Sequence, residues 1–116
     1  MEMDKQAILE EKKEEAIESL KEYLPNLENG LIYILNQFHS KDYAGANKTI
    51  IEALEGIKWV LDIMIVTNPQ DLDAENINDI LNAFIDAMEN DDKETIVDII
   101  EYELIDLVKE WNNIIS

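Results

Sequence analysis

The chain has 116 residues, 47% of them hydrophobic, enough for one domain (1-116) with a sizeable core. Twenty-seven acidic residues stand against nine lysines and no arginine. That formal charge of -18 repels phosphate backbones and anionic lipid, so neither nucleic acid nor membrane is an expected partner. With no cysteine there is no disulfide, no thiolate metal site and no cysteine nucleophile.

The opening stretch MEMDKQAILEEKKEEA is acidic where a signal peptide needs a basic start and an apolar core. No apolar run approaches the ~18 residues that cross a bilayer. A cytoplasmic protein is expected. Residues 4-24 read as a first helix with Leu9, Ala16, Ile17, Leu20 and Leu24 on one side. Glu10, Glu14 and Glu15 lie within reach of Lys12, Lys13 or Lys21, worth only a few tenths of a kcal/mol per pair, so this helix depends on packing. Leu24-Pro25 predicts its end, because a residue before proline is pushed out of helical dihedrals. Leu27, Leu31, Ile34, Leu35 and Phe38 mark a second helix over 26-40. Gly30 inside it costs roughly 1 kcal/mol relative to alanine, which suggests a close helix approach.

His39 to Asp42 predicts a turn, with Ser40 or Asp42 as cap of the next helix. That helix, 42-66, is the organising element. Tyr43, Ala46, Ile50, Ala53, Ile57, Val60 and Met64 alternate at three and four, and Leu54 and Leu61 widen the face. Thr67-Asn68-Pro69-Gln70 is the strongest break. A helix over 74-89 comes next, with the stripe Ile77, Leu81, Phe84 and Met88. After Glu89 to Asp92, a last helix over 92-115 carries Ile96, Val97, Ile100, Leu104, Leu107, Val108, Trp111 and Ile114. Adding fifty to Ile50, Leu54, Ile57, Leu61 and Met64 gives Ile100, Leu104, Leu107, Trp111 and Ile114. The expected fold is therefore all-α. It is an antiparallel four-helix bundle of two repeated helical hairpins (26-66 and 74-115, offset fifty), with the N-terminal helix (1-24) laid across it. Leu54, Ile57, Leu104 and Leu107 are the expected core.

Chemistry is sparse. His39 is the one histidine, placed at a turn with no nucleophile to activate, and Ser19, Ser40 and Ser116 lack a strand-turn-helix context. Asp71 to Asn76 begins like a calcium loop but lacks the sixth-place glycine, and Asn82 stands where the loop needs glutamate. A di-iron bundle needs Glu-x-x-His, and Asn36 precedes His39. No catalytic residue, metal or cofactor is expected.

The aromatics carry more. Trp59 lies off the main seam of its helix, with Ile63 and Val66 four and seven residues on and Gly56 three before. A comparable strip on the last helix runs through Ile99, Tyr102 and Ile105. Either the first helix covers these strips, or they receive an apolar helix of a partner, a common mode of recognition in which aromatics are the anchors. Trp59, Ile63 and Val66 are the expected partner-binding residues.

Asn29-Gly30-Leu31 with Tyr33-Ile34, then Asp42, Ala46-Asn47, Ile50 and Leu54, and a final helix ending in Trp111, resemble the flagellin export chaperones. These are small antiparallel helical bundles that bind the C-terminal segment of flagellin. Glu28 stands where that family has a tyrosine before the glycine, and Ile77 to Met88 holds Phe84 in place of its tyrosine-rich helix. The resemblance implies a non-enzymatic, chaperone-like adaptor. The charge suggests a second reading, an acidic immunity or inhibitor protein covering a basic enzyme such as a nuclease. Self-association as a homodimer is a further expectation for the Trp59 strip. Abundant isoleucine and asparagine, with lysine as the only strong base, associate with an AT-rich bacterial source.

Overall fold

A computed structural model describes the backbone of residues 2-116 and the side chains of residues 11-116. Leu9 of the N-terminal stripe and Glu10 of the expected ion pairs thus fall outside the described side chains. The described residues are helical throughout, with short turns between: α1 (Glu2–His39), α2 (Tyr43–Thr67), a 3-10 turn (Pro69–Asp71), α3 (Ala74–Glu89) and α4 (Lys93–Ile99). A π turn (Ile100–Leu104) then leads without a break into α5 (Ile105–Ile115).

The expected break at Pro25 does not occur. Leu20, Leu24, Leu27, Leu31, Ile34 and Phe38 are buried at spacings of four and three, and that seam runs straight through the proline. Pro25 itself is exposed, so its ring lies away from the core and its local cost is one helix bond left unmade. An interior proline costs about 3 kcal/mol, whereas each buried leucine contributes roughly 1.5-3 kcal/mol. Tertiary burial therefore overrides the local rule, and the expected N-terminal helix and first bundle helix are one rod.

Cross-helix contacts fix the directions. Tyr23 lies over Gly56 and Gln37 beside Gly45, so α1 and α2 are antiparallel. Lys109 Nζ stands 3.7 Å from Glu28 Oε1, while Phe38 and His39 share a surface cleft with Val97 and Glu101, so α1 is antiparallel to α4 and α5 as well. Lys93 Nζ sits 4.9 Å from the centre of the Tyr43 ring, which places both turns at one end of the bundle.

Those turns repeat bond for bond. Asp42 N–H donates to Gln37 O (2.8 Å) and Asp92 N–H to Ala87 O (2.9 Å). Lys41 N–H donates to Phe38 O and Asp91 N–H to Met88 O, both at 3.1 Å. Lys41 (φ 64°) and Asp91 (φ 50°) both take the left-handed conformation that ends a helix. Asp42 then caps α2 by accepting from Gly45 N–H (3.1 Å), as Asp92 caps α4 by accepting from Thr95 N–H (3.3 Å).

The offset of fifty holds to Ile100 and no further. Ile105 N–H donates to Ile100 O, a π bond that inserts one residue into the last helix. Beyond it the buried positions of α2 reappear fifty-one residues on: Ala53, Ile57, Val60 and Met64 become Leu104, Val108, Trp111 and Ile115. Of the four expected core residues, Ile57, Leu104 and Leu107 are buried. Leu54 is only half-buried, because the true counterpart of Leu104 is Ala53.

Candidate functional site

Gly30, the expected close approach, has nothing within 4 Å of the position of a Cβ. The close approach lies at Gly56, where a Cβ would overlap the Tyr23 hydroxyl. This lets Tyr23 lean across α2 into a T-shaped pair with Trp59, centroids 5.2 Å apart at 84°. Burial pushes the Tyr23 phenol above its ordinary pKa. Sequence spacing gave no sign of this pairing, since the partners sit on different helices with nothing periodic to join them.

Tyr23 covers only one side of Trp59, which stays 42% exposed. Ile63 is half-buried against the core and Val66 is 61% exposed. Ile63 and Val66 line a cleft of about 280 Å³ with Lys12, Lys13, Ala16, Asp62 and Thr67. A smaller cleft of about 160 Å³ lies further along the same α1–α2 groove, between Tyr23, Asn26 and Gly30 on one helix and Thr49 and Glu52 on the other. Of the three expected residues, Ile63 and Val66 thus line one cleft walled by α1, and Trp59, on the same helix, meets α1 through the Tyr23 ring. The strip expected on the last helix does not form: Ile99 and Ile105 are buried in the core, and Tyr102, in the π turn, is 66% exposed.

The internal repeat separates what the fold requires from what it merely permits. Fifty-one residues after Trp59 stands Glu110, exposed, and after Ile65 stands Ser116, exposed. Ile51 corresponds to the exposed trio Glu101, Tyr102 and Glu103. The same outward positions are apolar on α2 and mostly polar on the last helix, so the bundle does not need them apolar. Charge divides likewise. Residues 26-66 hold five acids and three lysines, a formal -2; residues 74-115 hold twelve acids and two lysines, a formal -10.

Among the described residues no three metal-ligating side chains gather, and no helix is long and apolar enough to cross a membrane. His39 is exposed at the rim of the Phe38–Val97 cleft, with Glu101 the one carboxylate lining it. Neither a curated protein nor a solved structure matches the chain. Residues 15–114, which take in most of α1 and nearly all of the bundle, match the family described as Domain of unknown function (DUF8042), and the chain belongs to that family.

Proposed function

We propose that this is a non-enzymatic, protein-binding helical bundle, adaptor or chaperone-like, whose α1–α2 groove takes an apolar helix of another protein anchored on Trp59. The observation that carries this reading is the half-exposed Trp59 on the near-neutral hairpin, where the repeat has Glu110. Apolar side chains kept outward without structural need mark a surface with a partner. Ile63 and Val66 extend the apolar floor, and Lys12, Lys13 and Asp62 at its rim offer both signs of charge to a helix's polar edge. The resemblance to flagellin export chaperones supplies the first ligand to try, a peptide of the flagellin C-terminal helix.

Trp59 reports on its own site. Trp111 is fully buried, so a neutral quencher such as acrylamide reaches Trp59 selectively. Bound peptide should protect that emission, and Trp59→Ala should weaken binding by more than ~1 kcal/mol with helical content unchanged. Equal affinity of Trp59→Ala and the parent would sink the proposal. A second reading is favoured by the -10 of residues 74-115: an acidic inhibitor docking a basic enzyme through that hairpin. Salt separates the two, because such docking loses on-rate steeply as salt rises and groove binding of an apolar helix changes little.

A further inference from the structure

Two other exposed isoleucines lie on the opposite flank of α2. Gly56 and Ile63, seven apart, mark the side that meets α1. Two residues on, about 200° round the helix, Lys58 and Ile65 face away from it, and Ile51 completes that line at the same spacing of seven. Ile51 is 56% exposed and Ile65 58% exposed. Among the described residues the helix that packs closely on α2 is α1, and Ile51, Glu55, Lys58, Asp62 and Ile65 on this flank are all exposed.

We propose that Ile51, Lys58 and Ile65 form a seam through which two copies of this chain pair, α2 antiparallel to α2, about a twofold axis at Lys58. The spacing is self-complementary, as an isologous contact demands. Ile51 and Ile65 are each seven residues from Lys58, so the axis sets Ile51 of one copy against Ile65 of the other, twice over. Glu55 and Asp62, both exposed, flank Lys58 where they can receive the other copy's lysine. Charge selects a second copy over another occupant. A basic protein is drawn to the hairpin carrying -10, whereas two chains of -18 can approach only where charge is least, and α2 carries three acids and two lysines. A helix of 25 residues is about 37 Å long, and a strip ~10 Å wide gives on the order of 400 Å² per copy. A stable interface takes roughly 800 Å² per partner, so the dimer is a weak, concentration-dependent one.

Sedimentation of the intact chain from about 5 to about 500 µM, at about 0.15 and 0.5 M salt, tests this. Dimer should grow with concentration and, because salt screens the repulsion between two chains of -18, with salt. Ile51→Glu and Ile65→Glu should each weaken association at least about tenfold without loss of helix. Ile85→Glu, at an exposed isoleucine of α3, should not weaken it, nor should Trp59→Ala, which separates this seam from the groove of the proposed function. Because the chain lacks cysteine, Lys58→Cys should cross-link copies on oxidation while Lys109→Cys, the repeat-related position, should not. A monomer at the highest concentration and salt, an unchanged Ile51→Glu, or no cross-link at Lys58→Cys would each overturn it.

Discussion

Helix α2 and the last helix are one design carried out twice, and they part company at a single residue. Up to Ile50 and Ile100 they share a capping carboxylate, a turn and a buried register. Then the π turn slips one residue into the second copy. Residues past that turn are buried in the same order as those of α2, at an offset of fifty-one. A helical repeat is thus kept by the core face, which must stay in phase, and the chain's own numbering is free to drift where a π turn absorbs the difference.

The largest test of that comparison is deletion of one exposed residue from each helix. Removing Glu52 from α2 turns Ala53, Ile57, Val60 and Met64 about 100° off the core, and at roughly 2 kcal/mol for each of the three larger side chains this exceeds a typical domain's margin of about 5-15 kcal/mol at its lower end. Helical signal and the melting transition should be lost. Removing Tyr102 from the π turn should instead leave a regular α-helix with the α2 spacing and a folded protein. If both deletions behave alike, the insertion reading fails.

Alanine pairs sharpen the register. With the offset of fifty-one, Trp111→Ala removes a fully buried side chain and should cost about 3-5 kcal/mol, and Leu104→Ala about 2-5 kcal/mol. Leu61→Ala and Leu54→Ala, fifty residues before them and half-buried, should cost distinctly less. Equal costs within each pair, read from denaturant unfolding, would restore the fixed offset of fifty.

Glycines distinguish close packing from spare room. Gly56→Ala should destabilise by about 1-3 kcal/mol, because the added methyl meets the Tyr23 ring. Tyr23→Phe, which removes the overlapping hydroxyl, should recover part of that loss. Gly30→Ala, with open space around it and a helical backbone, should stabilise by roughly 0.5-1 kcal/mol. Thermal melts at one pH decide the signs.

The smallest effect separates the two turns. Asp92 accepts from the Thr95 hydroxyl at 2.7 Å as well as from its N–H, and these bonds hold its carboxyl below the ordinary 3.8. Gly45 offers Asp42 only an N–H. A depressed folded pKa contributes stability above the unfolded value, and that contribution is lost as pH falls through the folded value. The loss therefore lies below pH 3.8, and Thr95→Val should move the Asp92 titration, followed by carboxyl NMR, back up toward the ordinary value. At the other extreme Tyr23, raised by burial, contributes stability below pH 10.0 that is lost as pH rises through its folded value.

Much of the fold was legible in the chain. The three-and-four spacing of α2, the paired turns and the all-helical class come from side-chain periodicity and short capping residues, which act within one or two helical turns. The continuity of α1 was not: the rule for residues before proline predicts an end at Leu24-Pro25, against the unbroken spacing of Leu20, Leu24, Leu27 and Leu31. The candidate site was legible in part: Trp59, Ile63 and Val66 share a flank by spacing alone, whereas Tyr23 and Gly56 meet only in space.

The sequence by itself determined which faces are apolar, where the turns cap, and how unevenly charge falls between the two hairpins, since each is a property of neighbours along the chain. Only the tertiary structure decided that Pro25 is spanned, that one residue is absorbed in a π turn, and that Tyr23 leans over Gly56 onto Trp59. Each of these weighs a local cost against burial shared by distant residues. In the last helix the doubled apolar positions Ile99-Ile100, Leu104-Ile105 and Leu107-Val108 fit either register, and only packing against α1 and α3 selects one.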